Sequence, residues 1–579
     1  MENSEIARIF HEIADLLEVK GDNPFRVRSY RNAALVVEGL PESLRTMAQK
    51  GAEGLMHIPG IGEGIREKIL EMTRTGRCAF HDGLLKEVPQ GILGILKVSG
   101  VGPRKAAVFF KELGITDVEG LEKAAKAQRL RTLTGFGEKS EERILKAIKD
   151  LRSMSGRANL GAAMQYAGAF QDYLKKIPGV TDCIPAGSLR RWKDSIGDID
   201  ILAACDEKAA AVMDGFAAYP DVRHVVSRGE TKSTVMLNAG LQVDIRVIEK
   251  KSFGAALQYF TGSKAHNIAL RDRAKRMGLK ISEYGVFKEK SGAWAAGETE
   301  EDVYRSVGLP WIPPELRENR GEIEAAEEGR LPEMLDVKDI RGDLHVHTNE
   351  SDGACSLEEM ADGAIERGYA YMAVTDHSKA VGIAHGLDEK RVLAQIKRID
   401  EFNEKLKKRG RKFTVLKGAE VDIRADGSLD HPDSVLDKLD CVLAAVHSGF
   451  SMSMSDMTER ILKGIRSGKI NILAHPTGRL ISSREPYAVD MEKVMDEARK
   501  YGVALELNSY PDRLDLNDTH LALAREKGVP VVISTDAHSL RHFDNILYGV
   551  HTARRGWLEK KDVLNTRPLK ELMKLLKRK

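Results

Sequence analysis

Gly187-Ser188-Leu189-Arg190-Arg191-Trp192-Lys193-Asp194-Ser195-Ile196-Gly197-Asp198-Ile199-Asp200 is the stretch on which the reading of the whole chain turns. Asp198 and Asp200 are two residues apart, so on a strand they share a face. Two carboxylates side by side repel, and a pair of hard divalent cations relieves that repulsion. Gly187 and Ser188 offer backbone N–H groups and a hydroxyl to a polyphosphate, and the arginines add bidentate contacts. A triphosphate at one end and two metals at the other are the equipment for nucleotidyl transfer.

Such a site needs a third carboxylate, because the attacking hydroxyl must also be held on a metal. Residues 241–248 alternate cleanly: Val243, Ile245 and Val247 face one way, Asp244 and Arg246 the other. That pattern predicts a half-buried strand with Asp244 on its polar face. Asp198, Asp200 and Asp244 are therefore expected to form one metal-binding triad. Further on, Tyr259-Phe260-Thr261-Gly262-Ser263 places an aromatic pair before a backbone bend, suited to pack against a sugar with no room for a 2′-hydroxyl. Together with Asn267, these motifs resemble those of a family X DNA polymerase, and the residues beyond 340 resemble the bacterial branch that carries a PHP (polymerase and histidinol phosphatase) domain. The resemblance covers essentially the whole chain.

The bulk numbers agree with an ordinary multidomain enzyme. A chain of 579 residues is too long for one core. Its 31% charged and 42% hydrophobic residues are typical of globular chains. No run is apolar enough to span a bilayer, and the acidic start does not read as a signal peptide. Five cysteines lie scattered without a C-x-x-C pair, which points to the cytoplasm and away from disulfides. Net charge is only +3, below what a protein that merely coats nucleic acid would carry; the first 157 residues hold 26 Lys and Arg against 22 Asp and Glu. Histidine is lopsided: 11 of 16 lie at or after His345, which flags that end for metal.

At the N-terminus, Ile6, Ile9, Phe10, Ile13, Leu16 and Leu17 predict a helix face. Arg26 follows a helix break and reads either as a charged helix start or as a contact to a DNA 5′-phosphate. Three stretches repeat an apolar-x-Gly-apolar-Gly pattern before a helix, at Gly60 and Gly62, Gly100 and Gly102, and Gly135 and Gly137. The glycines permit the turn and let backbone N–H groups approach an anion. They resemble helix-hairpin-helix motifs, which grip the DNA backbone without reading sequence; the third copy also reads as purely structural.

From Arg341 onward seven short apolar segments alternate with helical stretches, nearly all ending in a metal-type residue. That predicts a parallel sheet and a (β/α) barrel whose strand ends converge on one mouth. His345, His347, Asp352, His377, Glu420, His447, His475, Asp536 and His538 make nine candidate ligands, enough for a trinuclear cluster bridged by Glu420. The mixture fits Zn²⁺, Mn²⁺ or iron better than calcium. The spacing closely resembles the PHP family. Asp430-His431 reads as a loop, and Arg479 as a holder of substrate phosphate.

The expected fold is multidomain α and α/β: a helical helix-hairpin-helix region, a nucleotidyltransferase-type palm and a distorted (β/α)₇ PHP barrel. The boundaries read as 1–90 (helical, lyase-like), 91–157 (fingers-like), 158–250 (palm), 251–317 (nucleotide-selecting), 318–339 (linker) and 340–579 (PHP). The resemblance implies that Gly187, Ser188, Arg191 and Gly197 bind the incoming dNTP, with Tyr259, Phe260 and Gly262 on its sugar and Asn267 and Arg271 facing the nascent base pair. It places Lys68 where the family forms a Schiff base with 5′-deoxyribose phosphate; a solvated outer-face lysine is the plain alternative. One departure stands out: Gln242 replaces an arginine found in the vertebrate enzymes. The implied activity is filling short gaps in primer-template DNA with Mg²⁺ or Mn²⁺, plus a PHP 3′→5′ exonuclease with Zn²⁺ or Mn²⁺ that extends to abasic-site cleavage, all in a cytoplasmic monomer. An RNA-tailing nucleotidyltransferase, a gap-binding scaffold and a fused small-molecule phosphoesterase are the rival readings.

Overall fold

Apolar residues spaced three and four apart build the first part of the chain from helices alone. The computed structural model describes every residue except Glu2, 41–43, Lys50, Ala52, His57, Pro59, Lys97, Ser99, 154–156, Lys208, Ser482, Ser483, Lys577 and Lys579. Pro59 and Ser99, inside the first two glycine-rich stretches, thus lie outside the described residues. The chain divides into two units, one of 1–156 with 236–241 and one of 157–235 with 242–579.

In the first unit, the predicted face of helix Asn3–Lys20 is buried from Ile6 to Leu17. One apolar cluster runs from Ile6 to Ile148, so packing does not break at residue 90. The three glycine-rich stretches share one geometry. Gly60, Gly100 and Gly135 all have φ between +80° and +84°, where a side chain would be strained. Each is followed within three residues by a helix: Glu63–Thr75, Pro103–Leu113 and Glu138–Ser153. Gly62 and Gly102 cap their helices without a side chain, which leaves the first backbone N–H groups for an outside acceptor.

The second unit opens with a five-stranded sheet. Its strands are β1 (Asp182–Pro185), β2 (Asp198–Ala204), β3 (Val222–Arg228), β4 (Lys232–Leu237) and β5 (Gln242–Ile248), in the order β1-β2-β5-β4-β3. The parallel pairing of β2 with β5 sets Asp200 opposite Asp244 and Asp198 opposite Gln242. Helices Phe253–Thr261, Lys264–Arg276 and Glu300–Ser306 then surround a small antiparallel sheet. Its charges are interior: Glu300 accepts two bonds of 2.7 Å from Arg190, one of 2.6 Å from the fully buried Arg317, and one of 3.0 Å from Trp311.

Residues 318–339 connect this region to the barrel but are not an extended charged tether. They fold back through helix Glu322–Glu327, and Glu322 is buried with its carboxylate 2.6 Å from His266. Glu318 is gripped by Arg191 and Arg555. Glu318 and Glu322 thus have internal partners, while Glu324, Glu327, Glu328, Glu333 and Asp336 are exposed.

Seven parallel strands follow: β6 (Gly342–Val346), β7 (Tyr371–Val374), β8 (Thr414–Asp422), β9 (Cys441–Ala445), β10 (Ile472–Leu473), β11 (Ala504–Asn508) and β12 (Val531–Ser534). They pair in sequence order, and a parallel bridge from Val346 to Ala537 nearly closes the barrel. The strands are apolar runs because both faces are covered, and every residue of β6, β7, β9, β11 and β12 is buried.

Glu300 tests the packing of the second unit. Burial raises its carboxyl pKa, but Arg317 and Arg190 outweigh burial and hold it well below the usual range. A depressed pKa contributes stability above the unfolded value that is lost as pH falls. Glu300→Ala takes the carboxylate from the buried Arg317 and the half-buried Arg190 and should cost about 3 kcal/mol in urea unfolding at pH 7. A loss below about 1 kcal/mol would contradict this account.

Candidate functional sites

The three aspartates meet because β2 and β5 are adjacent and parallel. Asp198 and Asp200 share a face through the two-residue period, and Asp244 is registered against Asp200. Burial pushes the Asp200 carboxyl up to about 7, with Asp198 and Asp244 adding repulsion. Burial and Asp244 also raise Asp198. Asp244 keeps two partners, Gln242 Nε2 at 3.1 Å and Lys232 Nζ at 3.3 Å. Gln242 thus stands against the triad as a neutral donor. Asp198 is exposed and Asp200 and Asp244 are half-buried; a donor set made only of carboxylates on paired strands fits hard divalent cations.

Gly187 has φ +60°, and a Cβ there would lie 2.2 Å from Asp200 Oδ2. Only glycine lets the backbone come this near the triad. Ser188 sits in the same short helix, Gly187–Arg190, which turns the chain toward β2. Gly197 packs against the Arg157 guanidinium. Arg191 is already engaged: Nε donates to Glu318 at 3.0 Å and Nη1 to the Thr261 carbonyl at 2.5 Å. Arg190 is structural, through Glu300.

Helix Phe253–Thr261 ends at Gly262 with φ +70°, so the expected bend is present. Tyr259 and Phe260 meet edge to face at 5.1 Å. The Arg246 guanidinium lies 4.3 Å over Phe260, a role that strand alternation alone did not suggest. Asn267 is buried, accepting from Gln258 at 2.8 Å and donating to the Tyr259 carbonyl at 2.6 Å, so it braces the aromatic pair from inside. Arg271 is exposed, 5.9 Å from the Tyr259 ring.

In the first unit, Arg26 and Lys68 converge on Phe80, a residue the sequence did not single out. The guanidinium is 4.8 Å from its ring and the ammonium 5.1 Å. Lys68 Nζ also donates to the Gly64 carbonyl at 3.0 Å. Arg31 differs, being tied to Asp15 and Glu18.

At the barrel mouth all nine candidate ligands come together. Glu420, 1% exposed, has five imidazoles at 2.8–3.7 Å: His345, His347, His377, His447 and His475. Asp536 stands 3.2–3.7 Å from His345, His347 and His538. Asp352 stands 3.3–3.7 Å from His347, His377 and His538. Three ligand groups result: His347, Asp352, His377 and His538; His345, His347 and Asp536; His377, Glu420 and His447. His347 and His377 belong to two groups each, so the three sites adjoin. Buried ring nitrogens of His345, His347 and His475 lack hydrogen-bond partners, as a metal-binding donor set requires. His475 and Asp536 adopt positive φ, backbone strain of the kind found at active sites.

Burial alone would discharge these histidines, but Glu420 and Asp352 outweigh it at His377, raised to about 10. Glu506, Asp536 and Glu420 likewise outweigh burial and raise His345. Burial lowers His347 to about 4, leaving it neutral and ready to ligate. Support for the ligands escaped the sequence reading. Glu506, fully buried, sits 2.6 Å from His345 Nδ1 and accepts from the His475 N–H at 2.7 Å. Asp422 is 3.2 Å from His447 Nδ1, and Asn508 donates to Asp536 at 3.0 Å. Their signal was the two-residue period: Asp422 follows Glu420, and Asn508 follows Glu506, on the same strand faces. Asp430 packs in its loop, accepting from Ala380 N–H at 2.7 Å and from Arg424, and His431 is buried beside it. Arg479 does not face substrate; it donates to Asp194 and to two backbone carbonyls.

Comparison with known proteins agrees with this geometry. Residues 1–78 match a helix-hairpin-helix domain and 92–150 a SAM-like helix-hairpin-helix tandem. Residues 256–318 match the DNA polymerase beta thumb, and 343–510 the PHP domain. The DNA polymerase/3′-5′ exonuclease PolX of Bacillus subtilis is 40% identical over 580 residues, all of both chains. A probable phosphatase of Thermoanaerobacter is 30% identical over 251 residues, 41% of this chain and 96% of its own. One from Shewanella oneidensis is 31% identical over 222 residues, 35% of this chain and 80% of its own. With identity spanning both chains end to end, and with the thumb and PHP matches placed where the structure has those parts, the chain belongs to the PolX family of bacterial family X DNA polymerases.

Proposed function

We propose that the protein fills short gaps in DNA at Asp198, Asp200 and Asp244 and trims DNA 3′ ends at the barrel mouth. What supports this reading is that one chain carries three aspartates on the paired strands β2 and β5 and, separately, three adjoining His, Asp and Glu groups at the barrel mouth. The palm set is made only of carboxylates and suits Mg²⁺ or Mn²⁺; the barrel set mixes imidazole with carboxylate and suits Zn²⁺ or Mn²⁺.

In the palm, bound cations would neutralise the triphosphate and activate the primer hydroxyl. Gly187 and Ser188 present backbone and hydroxyl donors beside Asp200. Arg191 gains access to a triphosphate by exchanging its bond to the Thr261 carbonyl, while Arg555 keeps Glu318 neutralised. Tyr259 and Phe260, braced by Asn267 and Arg246, give the deoxyribose a fixed wall. The glycine hairpins hold gapped or primer-template duplex by its backbone, independent of sequence.

In the barrel, bound cations would activate water and clamp a phosphodiester. Glu420, with His377 and His447, would hold a cation beside the other two ligand groups. Glu506 and Asp422 aim the imidazoles of His345 and His447 by holding their far nitrogens. Arg513, whose Nε is 3.7 Å from Asp536 Oδ2, supplies the cationic side chain at this edge of the cluster. The same chemistry extends to cleavage at abasic sites. Lys68, on the face of Phe80 beside Arg26, is the candidate nucleophile for a 5′-deoxyribose phosphate. We read the protein as a cytoplasmic monomer in base excision repair; its five cysteines are free, and no helix among the described residues is long and apolar enough to cross a membrane. The phosphatase names of the barrel relatives favour one second reading, a phosphomonoesterase, which hydrolysis of a chromogenic monophosphate without DNA shortening would support.

A one-nucleotide gapped duplex with a labelled primer and Mn²⁺ tests the main reading. Asp200→Ala should lose extension by about a thousandfold and keep shortening; His345→Ala should do the reverse. Loss of both activities in a folded His345→Ala protein would contradict two separate sites. Lys68→Ala should abolish release of 5′-deoxyribose phosphate and borohydride trapping while leaving extension intact; unchanged trapping would exclude Lys68.

Asp200 also predicts a pH effect. Its raised pKa means that the unfolded chain ionises first, so stability falls as pH climbs from the ordinary value through about 7. A cation at the triad relieves this. Mg²⁺ should therefore raise the unfolding temperature more at pH 8 than at pH 6, and Asp200→Asn should shrink that difference. Equal shifts in both proteins would contradict the assignment.

A further inference from the structure

The palm stretch Arg191–Asp194 lies between Ser188 and Asp198, and the barrel holds three of its residues. Arg555 Nη1 donates to the Arg191 carbonyl at 2.5 Å and to Glu318 Oε1 at 2.9 Å, the oxygen that also accepts from Arg191 Nε. The Trp192 indole lies flat on the His551 ring, 3.5 Å between centroids and 2° between planes. Arg479 Nη1 donates to Asp194 Oδ2 at 2.8 Å.

The rest of the Arg479 guanidinium serves one barrel loop. Nε donates to the Arg513 carbonyl at 2.8 Å, and Nη2 to the Leu514 carbonyl. That loop carries the Arg513 side chain toward Asp536 of the ligand cluster. The same loop touches the palm directly. Asn159 Nδ2 donates to Asp512 Oδ1 at 2.5 Å, and a Cβ on Gly161 would come within 2.8 Å of Pro511. Arg479 is 13% exposed, so its three acceptors compete little with water. A planar, rigid fork that satisfies acceptors on two loops fixes their separation and mutual angle.

We infer that Arg479 is a positioning residue shared by both sites. Through Asp194 it sets the loop that leads into Asp198; through the Arg513 carbonyl it sets the guanidinium that faces Asp536. The inference rests on the two-site reading above and goes beyond it, because it makes each reaction sensitive to a substitution in the other domain. A displaced loop lowers turnover more than binding, since about 1 Å of misplacement costs up to a hundredfold in rate.

The test crosses the domains in the full-length protein. Asp194→Ala, in the palm, should slow 3′-end shortening about tenfold while Kd for gapped DNA holds. Arg479→Ala, in the barrel, should lower kcat for gap filling about tenfold with a smaller change in KM for dNTP. Asp194→Glu, which keeps the carboxylate, should restore most of the shortening. Arg479→Lys keeps a charge but cannot serve three acceptors, so it should fold and lose both activities in parallel even if Arg479→Ala fails to fold. Cross-domain activities within about twofold of wild type in folded variants, or an Arg479→Lys protein at wild-type rates, would overturn the inference. A wild type that lacks one of the two activities would instead overturn the two-site reading, and the inference with it.

Discussion

Glu420 is the point on which the barrel depends. One buried carboxylate faces five imidazoles at 2.8–3.7 Å, and its pKa is driven well below the usual range against burial. No ordinary hydrophobic packing accounts for so many titratable groups at one strand-end layer, because each uncompensated charge there costs several kcal/mol, on the order of 3–5. Divalent cations convert the same cluster from a liability into a preorganised site. The seven parallel strands, mostly apolar and buried, deliver the ligands to that layer.

The palm solves the matching problem with fewer elements. Two parallel strands carry the three carboxylates, and the absence of a side chain at Gly187 lets its turn come close to Asp200. What distinguishes this chain from a palm with a nuclease merely appended is the interface. Arg555, His551 and Arg479 all end on residues 191–194, and residues 318–339 fold into the same network rather than spacing the parts. The stretch that leads from Ser188 to Asp198 is therefore part of the barrel's docking surface.

Much of this was legible in the sequence because the informative patterns are local. The period-two strand carrying Asp244, the Asp198-Ile199-Asp200 pair and the seven apolar runs ending in His, Asp or Glu each need only a few neighbouring residues to read. The repeated glycines at 60, 100 and 135 were readable for the same reason, since positive φ is a property of one residue. The failures share a cause as well. Arg479 looked like a phosphate ligand because it follows His475, but its partner Asp194 lies 285 positions away. Residues 318–339 looked like a solvated tether because Glu318 and Glu322 find Arg191, Arg555 and His266 only in three dimensions. Glu506 was passed over since a glutamate inside an apolar strand shows its purpose only once His345 is placed 2.6 Å from it.

Counting the metal ions in the barrel tests the central claim most directly. Residues 340–579 of the full-length protein, loaded with Mn²⁺ or Zn²⁺ and examined by anomalous diffraction, should show three adjoining ions, with the ligand groups built on Asp536, Asp352 and Glu420. Glu420→Gln should remove the ion between His377 and His447 and weaken its neighbours. A single ion, or three ions undisturbed by Glu420→Gln, would contradict the account of Glu420 as the group that organises the site.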